Sequence, residues 1–441
     1  MSPLSILLRP LASFLLVLVI AVPTFCEDAM FRGNPQHTGV YEAVGIPNFS
    51  RVKWKFHTGG LVISSPAVAD GLVYFGSADE NLYAVDAESG AQKWKFEAKG
   101  RVVSSPAVSD GVVFFGAYNG SFYAVDAVTG KQRWNFKTGG ERRFAAKHLH
   151  GAEPRGEIQP DPFDCFLSSP VVLNGVVYFG SGDGNIYALS AKSGVLKWKF
   201  KTGNVVHASP AIADGVVYVG SWDSYFYAIN AVTGREQWRF KTGDDPDTHN
   251  QVGIQSSAAV LDGVVYFGCR DSHLYALNAK TGLKKWAFST KGSWVIGSPA
   301  VQDGKVYFPT SDSSLLFAAD AKSGKLLYSV SFNKWYIFSS PAIAGNMLYV
   351  GSEQGKLLTV DLSSQKAGWT FETEASQKNG LAYTSQDGTP NGDTLYRSSF
   401  YDDMVSGVDR LMSMGSILSS PVVVGKVIYV GSADGNMYAL L

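Results

Sequence analysis

Residues able to do chemistry in this 441-residue chain gather in two stretches and at a scatter of single positions. The first stretch opens with Glu141, Arg142 and Arg143, continues through His148, Leu149 and His150, and ends in Asp161, Pro162, Phe163, Asp164, Cys165 and Phe166. Two histidines beside carboxylates and a thiol are donors suited to a transition metal. Arg142 and Arg143 offer the planar fork that clamps a carboxylate or phosphate. The second stretch carries Asp387, Asp393, Asp402, Asp403 and Asp409, oxygen donors of the kind Ca²⁺ takes. Neither follows a spacing that fixes an ion, so no metal site is assigned. The scattered positions are His207, Trp222, Asp223, Gln255, Arg270, Asp271, His273 and Trp294, each of which interrupts an otherwise regular pattern. Aromatic walls with a few placed polar groups make a ligand pocket, so these eight, with Arg142 and Arg143, are the candidate ligand-binding residues. No residue is singled out as catalytic. G-x-S-x-G, P-loop and H-E-x-x-H motifs are absent, which removes the local signatures of hydrolase, nucleotide and zincin chemistry.

The pattern being interrupted is a repeat. From Ser64 the chain reads SSPAVADGLVYFGSADENLYAVDAESGAQKWKF, and from Ser104 it reads SSPAVSDGVVFFGAYNGSFYAVDAVTGKQRWNF; the frame returns at Ser168, Ala208, Ser256, Gly297, Ser339 and Ser419. Each unit holds four β-patterned runs separated by turn chemistry. Asp-Gly or Asn-Gly between apolar runs is a hairpin signal because both residues accept positive φ. Four antiparallel strands in about 40 to 50 residues is the blade of a propeller. The last copy stops after three strands, and the missing fourth stands at the other end of the chain, where Arg51 to Phe56 reads RVKWKF. The predicted fold is therefore an all-β, eight-bladed propeller of four-stranded antiparallel blades, its ring closed by residues 51–56 completing the last blade. Trp54, Trp94, Trp134, Trp198, Trp238, Trp286 and Trp369 share one repeat position, with Tyr328 in the sixth copy, and read as structural packing between blades. Gly90, Gly130, Gly194, Gly234, Gly282 and Gly324 sit in the preceding turn, where positive φ is expected.

The runs AVDAESGAQKW, AVDAVTGKQRW, AINAVTGREQW and ALNAKTGLKKW resemble the tryptophan-docking repeat of the pyrroloquinoline quinone (PQQ)-like propeller family. That family comprises quinoprotein alcohol dehydrogenases and non-catalytic relatives such as the propeller lipoprotein of the outer-membrane β-barrel assembly machine. The resemblance covers about Arg51 to Leu441, and FRGNPQHTGV at Phe31 is similar to the family's lead-in. It implies a fold more sharply than a function. A quinoprotein enzyme of the family implies a cofactor clamp, Ca²⁺ and an acidic base. This chain has no adjacent cysteines and no C-x-x-C-H haem motif. No cofactor is expected, with PQQ and Ca²⁺ belonging only to the alternative reading.

Spacing between repeat starts stretches to 64 residues before Pro170, 48 before Ala258 and 80 before Pro421, locating insertions at 137–167, 241–254 and 372–417. All three follow an outermost strand and precede an innermost one, so they should emerge on one face, beside the turns that carry the interrupting residues. Loops gathered on a rigid scaffold carry function. The longest insertion, lacking the repeat's strand signals, reads as a loop or small subdomain, and the expected site centres on blades four to six.

Arg9, an apolar run from Leu11 to Val22, then Pro23 and Cys26 read as a secretory signal over residues 1–26. Phe25 stands where a lipoprotein signal needs a small residue. Residues 27–50 form a lead-in and 51–441 a single propeller. Cys165 and Cys269 remain in a compartment that permits disulfides; a bridge and two separate thiols both stay open. Lys plus Arg and Asp plus Glu each number 38, so no net field recruits nucleic acid. The expectation is an exported, monomeric, non-catalytic binding or scaffold propeller, periplasmic or at the cell surface, without a spanning helix. Its partner would be a protein segment, glycan or small ligand on the insertion-bearing face; a PQQ-dependent oxidoreductase or carbohydrate-active enzyme is the alternative.

Overall fold

The computed structural model describes residues 28–243 and 252–441; the expected signal peptide with Cys26, and residues 244–251 of the second insertion, lie outside the described residues. Eight sheets form the blades, each with four antiparallel strands; the seventh gains a fifth, Val40–Tyr41, paired parallel with its innermost strand, and the first seven run in chain order from the innermost strand outwards. The first is Ala67–Ala69, Leu72–Gly76, Asn81–Asp86 and Gln92–Glu97. The eighth joins Val422–Val424, Val427–Gly431 and Asn436–Leu440 to Val52–His57 from the other end of the chain. Trp54 lies opposite Ala439 and His57 opposite Asn436 in that closing pair, so no outer edge is left open between first and last copies.

Blades are joined by their tryptophans. Trp54, Trp94, Trp134, Trp198, Trp238 and Trp286 each donate Nε1–H to the carbonyl of an alanine in the next blade, at 2.9–3.1 Å. Each indole lies flat on that blade's turn glycine. A Cβ built on Gly90 would sit 2.7 Å from Trp54, and one on Gly324 2.6 Å from Trp286, while φ at these glycines is near +70°. Contact and backbone conformation thus both demand glycine. The exception is equally regular: Tyr328, the one non-tryptophan, packs with Leu362 against the seventh blade, whose turn carries Gln365 at the glycine position. The eighth blade's turn is split by the chain ends, and there the lead-in substitutes. Trp369 donates to Ile46 O at 2.8 Å and stacks on Phe49.

Around the axis, the serine before each Pro or Ala start is bonded to its neighbour. Ser65 N donates to Ser105 Oγ, and the series runs through Ser169, Ser209, Ser257, Ser298, Ser340 and Ser420 back to Ser65, with every distance between 2.8 and 3.2 Å. The innermost strands would otherwise present unpaired amides to the channel. The lead-in takes up several of them: Ile212, Val260, Val301 and Ile343 donate to Pro35, Gln36, Thr38 and Gly39 O, and Val108 exchanges two bonds with Ala29. Arg32, 1% exposed, bonds Pro299 and Pro341 O. The lead-in is therefore a strap across one end of the channel. No described helix is long and apolar enough to cross a membrane.

Candidate functional site

The other end of the channel is built from the insertions. In the first, Ala145–Lys147 pairs antiparallel with Ile158–Pro160. The third contains helices Glu374–Asn379, Gly392–Leu395 and Tyr401–Ser413. Thr373 and Asn391 cap the first two by accepting from Ser376 N and Thr394 N. Asp403 accepts from Arg397 N, Ser398 N and Arg410 at the start of the last helix, so its carboxylate is used in the fold. Trp335 of blade seven seats the subdomain, buried with Leu395, Leu411 and Met414 and donating to Gly388 O at 2.8 Å. The two insertions meet each other as well. Glu153 N donates to Ser399 O, Tyr401 N to Glu153 O, and Tyr401 OH to Pro160 O at 2.6 Å.

The first insertion is pinned over the channel by two acids. Asp161 accepts from Arg270 Nη1 at 2.6 Å and lies 3.1 Å from His150 Nε2; Asp164 lies 2.7 Å from His207 Nδ1 and accepts from Phe144 N. Both carboxylates are fully buried. Burial pushes Asp161 up, but Arg270 and then His150 outweigh it and hold the carboxyl well below its usual range. Burial opposes charge on His207 in the same way, yet Asp164 and Glu141 raise it to about 10. Gln255 Oε1 accepts from Arg270 Nη2 at 2.8 Å and its amide donates to Phe163 O. The guanidinium is sandwiched between Trp222 and Trp294, at 4.4 and 4.5 Å from the ring centroids, a strong setting for a cation. Phe144 stacks on Trp222 at 4.5 Å. His207, Trp222, Gln255, Arg270 and Trp294 thus do come together, chiefly as the receptor for the chain's own first insertion.

The remaining candidates are placed differently. Asp223 accepts from Gly203 N and Tyr227 OH, and Asp271 from Gly243 N and Tyr275 OH. Asp79 and Asp183 make the same pair of bonds in blades one and three, so this aspartate is part of the repeat. His273 bonds Asp271 O at the rim, Arg142 is exposed beside Asn204, and Arg143 lies near Tyr118 and Cys165. Cys165 and Cys269 are separate free thiols, and burial pushes the Cys165 thiol up to about 12.

Open space lies beside this clamp, over blades six and seven, one step further round the ring than the sequence pattern indicates. A cavity of about 420 Å³ is walled by Phe163, Trp294, Tyr336 and Phe338, with Tyr396 and Met404 of the third insertion closing it. His150 packs between Phe163 and Trp294 at centroid distances of 5.2 and 5.3 Å. Asp312 is in the wall, and burial raises its carboxyl above the ordinary value. Behind it Glu353, 1% exposed, has neither carboxylate oxygen hydrogen-bonded; burial, then Asp312, pushes it up to about 8. The signal that could have found Glu353 is positional. It follows its strand glycine at the same offset as Trp222 and Arg270, where blades one and eight carry Ala78 and Ala433. Among the described residues, no group of three or more His, Cys, Asp or Glu is arranged to hold a metal.

The profile of a family described as outer membrane protein assembly factor BamB matches residues 48–151, 151–293 and 270–399. No curated protein matches the chain. Among solved structures, BamB from Moraxella catarrhalis is 16% identical, with 88% of this chain and 97% of that one covered at a TM-score of 0.61. A europium-containing methanol dehydrogenase is 15% identical, with 93% and 97% covered at 0.66. The quinohemoprotein alcohol dehydrogenase from Comamonas testosteroni is 15% identical, with 93% and 80% covered at 0.66. At these identities the structural likeness is one of fold.

Proposed function

The chain belongs to the outer membrane protein assembly factor BamB family, and from that premise we propose that it is an exported, non-catalytic binding propeller of the cell envelope. It engages a protein segment, glycan or small ligand on the face that bears the insertions. The observation that carries this reading is the meeting of the first and third insertions over an aromatic cavity at the channel mouth. In it, Trp294 walls the binding space, while Arg270, His207, Trp222 and Gln255 hold the first insertion in the position that shapes it. The apolar leader ahead of Pro23 supports export to the periplasm or cell surface.

A quinone with Ca²⁺ fits these residues poorly. The channel mouth is filled by Asp161 and Asp164, whose carboxylates already face Arg270 and His207. Addition of PQQ and Ca²⁺ should leave the melting temperature unchanged, and a saturable rise would overturn the non-catalytic reading.

Photo-crosslinking in the native host tests the binding face. A benzoylphenylalanine placed at exposed Leu381 or Phe400 should capture a discrete envelope component, whereas one at exposed Val232 or Leu283, in turns of the opposite face, should not. Capture only from the second pair would assign binding to the wrong face.

A further inference from the structure

The charges around the channel mouth do not balance locally. Arg270 is neutralised by Asp161, and His207 by Asp164 with Glu141 behind it. Asp312 and Glu353 are left over: among the described residues neither forms an ion pair, and Glu353 has no hydrogen bond to either carboxylate oxygen. Two carboxyls held together out of water, without a cation, are costly to ionise together, so they keep a proton unless a ligand supplies the charge.

What surrounds them specifies the missing charge. The cavity beside Asp312 is walled by the rings of Trp294, Tyr336, Phe338 and Tyr396. Aromatic faces attract cations, most strongly when the ion is desolvated. They repel nothing in an alkyl body, so an ammonium group on an apolar frame satisfies wall and acids together. An anion would be set against two acids, and a neutral sugar would leave them unpaired.

We propose that this cavity takes an organic ammonium ion, its charge facing Asp312, with Glu353 buried behind that carboxyl, and its apolar body lying against Trp294, Tyr336 and Phe338. The inference rests on the binding role proposed above and names the ligand class for that face. The nearby charged groups face elsewhere: His150 and Arg270 are engaged with Asp161, Arg410 with Asp403, and Arg143 lies against Tyr118 and Cys165, while Tyr336 and Tyr396 present neutral phenols.

Calorimetric titration of the mature chain at pH 8.5 with choline, and with its uncharged carbon isostere 3,3-dimethyl-1-butanol, tests it. Choline should bind about tenfold tighter than the isostere. The preference should vanish in the Asp312→Asn, Glu353→Gln double variant, whose melting temperature should not fall because like charges have been removed. Equal affinities for the two probes, no binding of either at 10 mM, or an undiminished preference in the double variant would each overturn the inference. Crosslinks from Leu381 or Phe400 would still stand in those cases, so failure of the cation site and failure of the binding face are read separately.

Discussion

Arg270 and Asp161, 109 positions apart, meet at 2.6 Å between two tryptophans, and that contact fixes the first insertion to the propeller wall. Removing one partner leaves the other charged and buried, at a cost of about 3–5 kcal/mol. Asp161→Asn should therefore lower the melting temperature and open the insertion to limited proteolysis between residues 145 and 160. Arg270→Met in that background should recover much of the loss, because no orphaned guanidinium remains. A double variant as unstable as the sum of the singles would show that the two residues act separately.

Interblade docking makes a second prediction, about paired positions. Trp238→Ala should cost about 3–5 kcal/mol in chemical denaturation. Gly324→Ala should also destabilise, since its Cβ would meet Trp286 at 2.6 Å with φ at +70°. Gln365→Gly alone should be nearly neutral. Tyr328→Trp should be tolerated only with Gln365→Gly, because the larger ring needs the bare turn. Equal stability of Tyr328→Trp with and without Gln365→Gly would sink this account of the exception.

The repeat was readable because its periodic residues are periodic for physical reasons: the indole needs a glycine to lie on, and the closing strand needs a tryptophan in register. His207, Gln255 and Trp294 were readable for the converse reason, as departures from consensus at positions facing the axis, and Trp222 and Arg270 as departures in the turns of the insertion-bearing face. Their role as a clamp was not, since their partners Asp161 and Asp164 lie in an insertion outside the frame. Glu353 stands at the same offset as Arg270 but reads as an ordinary acidic turn residue. Its burial is imposed by the third insertion, and no local pattern carries that. The strap formed by the lead-in was equally hidden, because it works through backbone bonds at Pro35, Gln36, Thr38 and Gly39 that leave no side-chain signature.

That strap is testable through a single methyl group. A Cβ on Gly39 would come within 2.0 Å of the Arg32 guanidinium, and φ there is +70°. Gly39→Ala should therefore displace Arg32 from Pro299 and Pro341 and loosen the segment from its strands. Hydrogen exchange should quicken at the amides of Val301 and Ile343, which the lead-in covers, while the serine-ring amides of Ser105 and Ser169 keep their protection. Uniform acceleration at all four would mean that the strap holds the whole ring together.

Glu353 gives stability a pH dependence of known sign. Its carboxyl is pushed up to about 8 in the fold, by burial first and Asp312 second, against an ordinary value of 4.5. The fold therefore holds this proton more tightly than the unfolded chain does. Its contribution is complete below pH 4.5 and is lost as pH rises through 8, because unfolding then releases the carboxyl to ionise in water. Glu353→Gln keeps the shape and removes the titration, so its effect should grow with pH. Asp312 bears on it through space, and His150 and Arg270 bear on Asp312, so the profile is read as a difference from the parent chain, which cancels groups the variant leaves unchanged. Thermal melts should show little difference at pH 5 and a rise of about 1–4 °C in the variant at pH 8.5. A variant less stable than the parent at pH 8.5 would mean that the Glu353 carboxylate has found a partner and contributes to the fold as an ion.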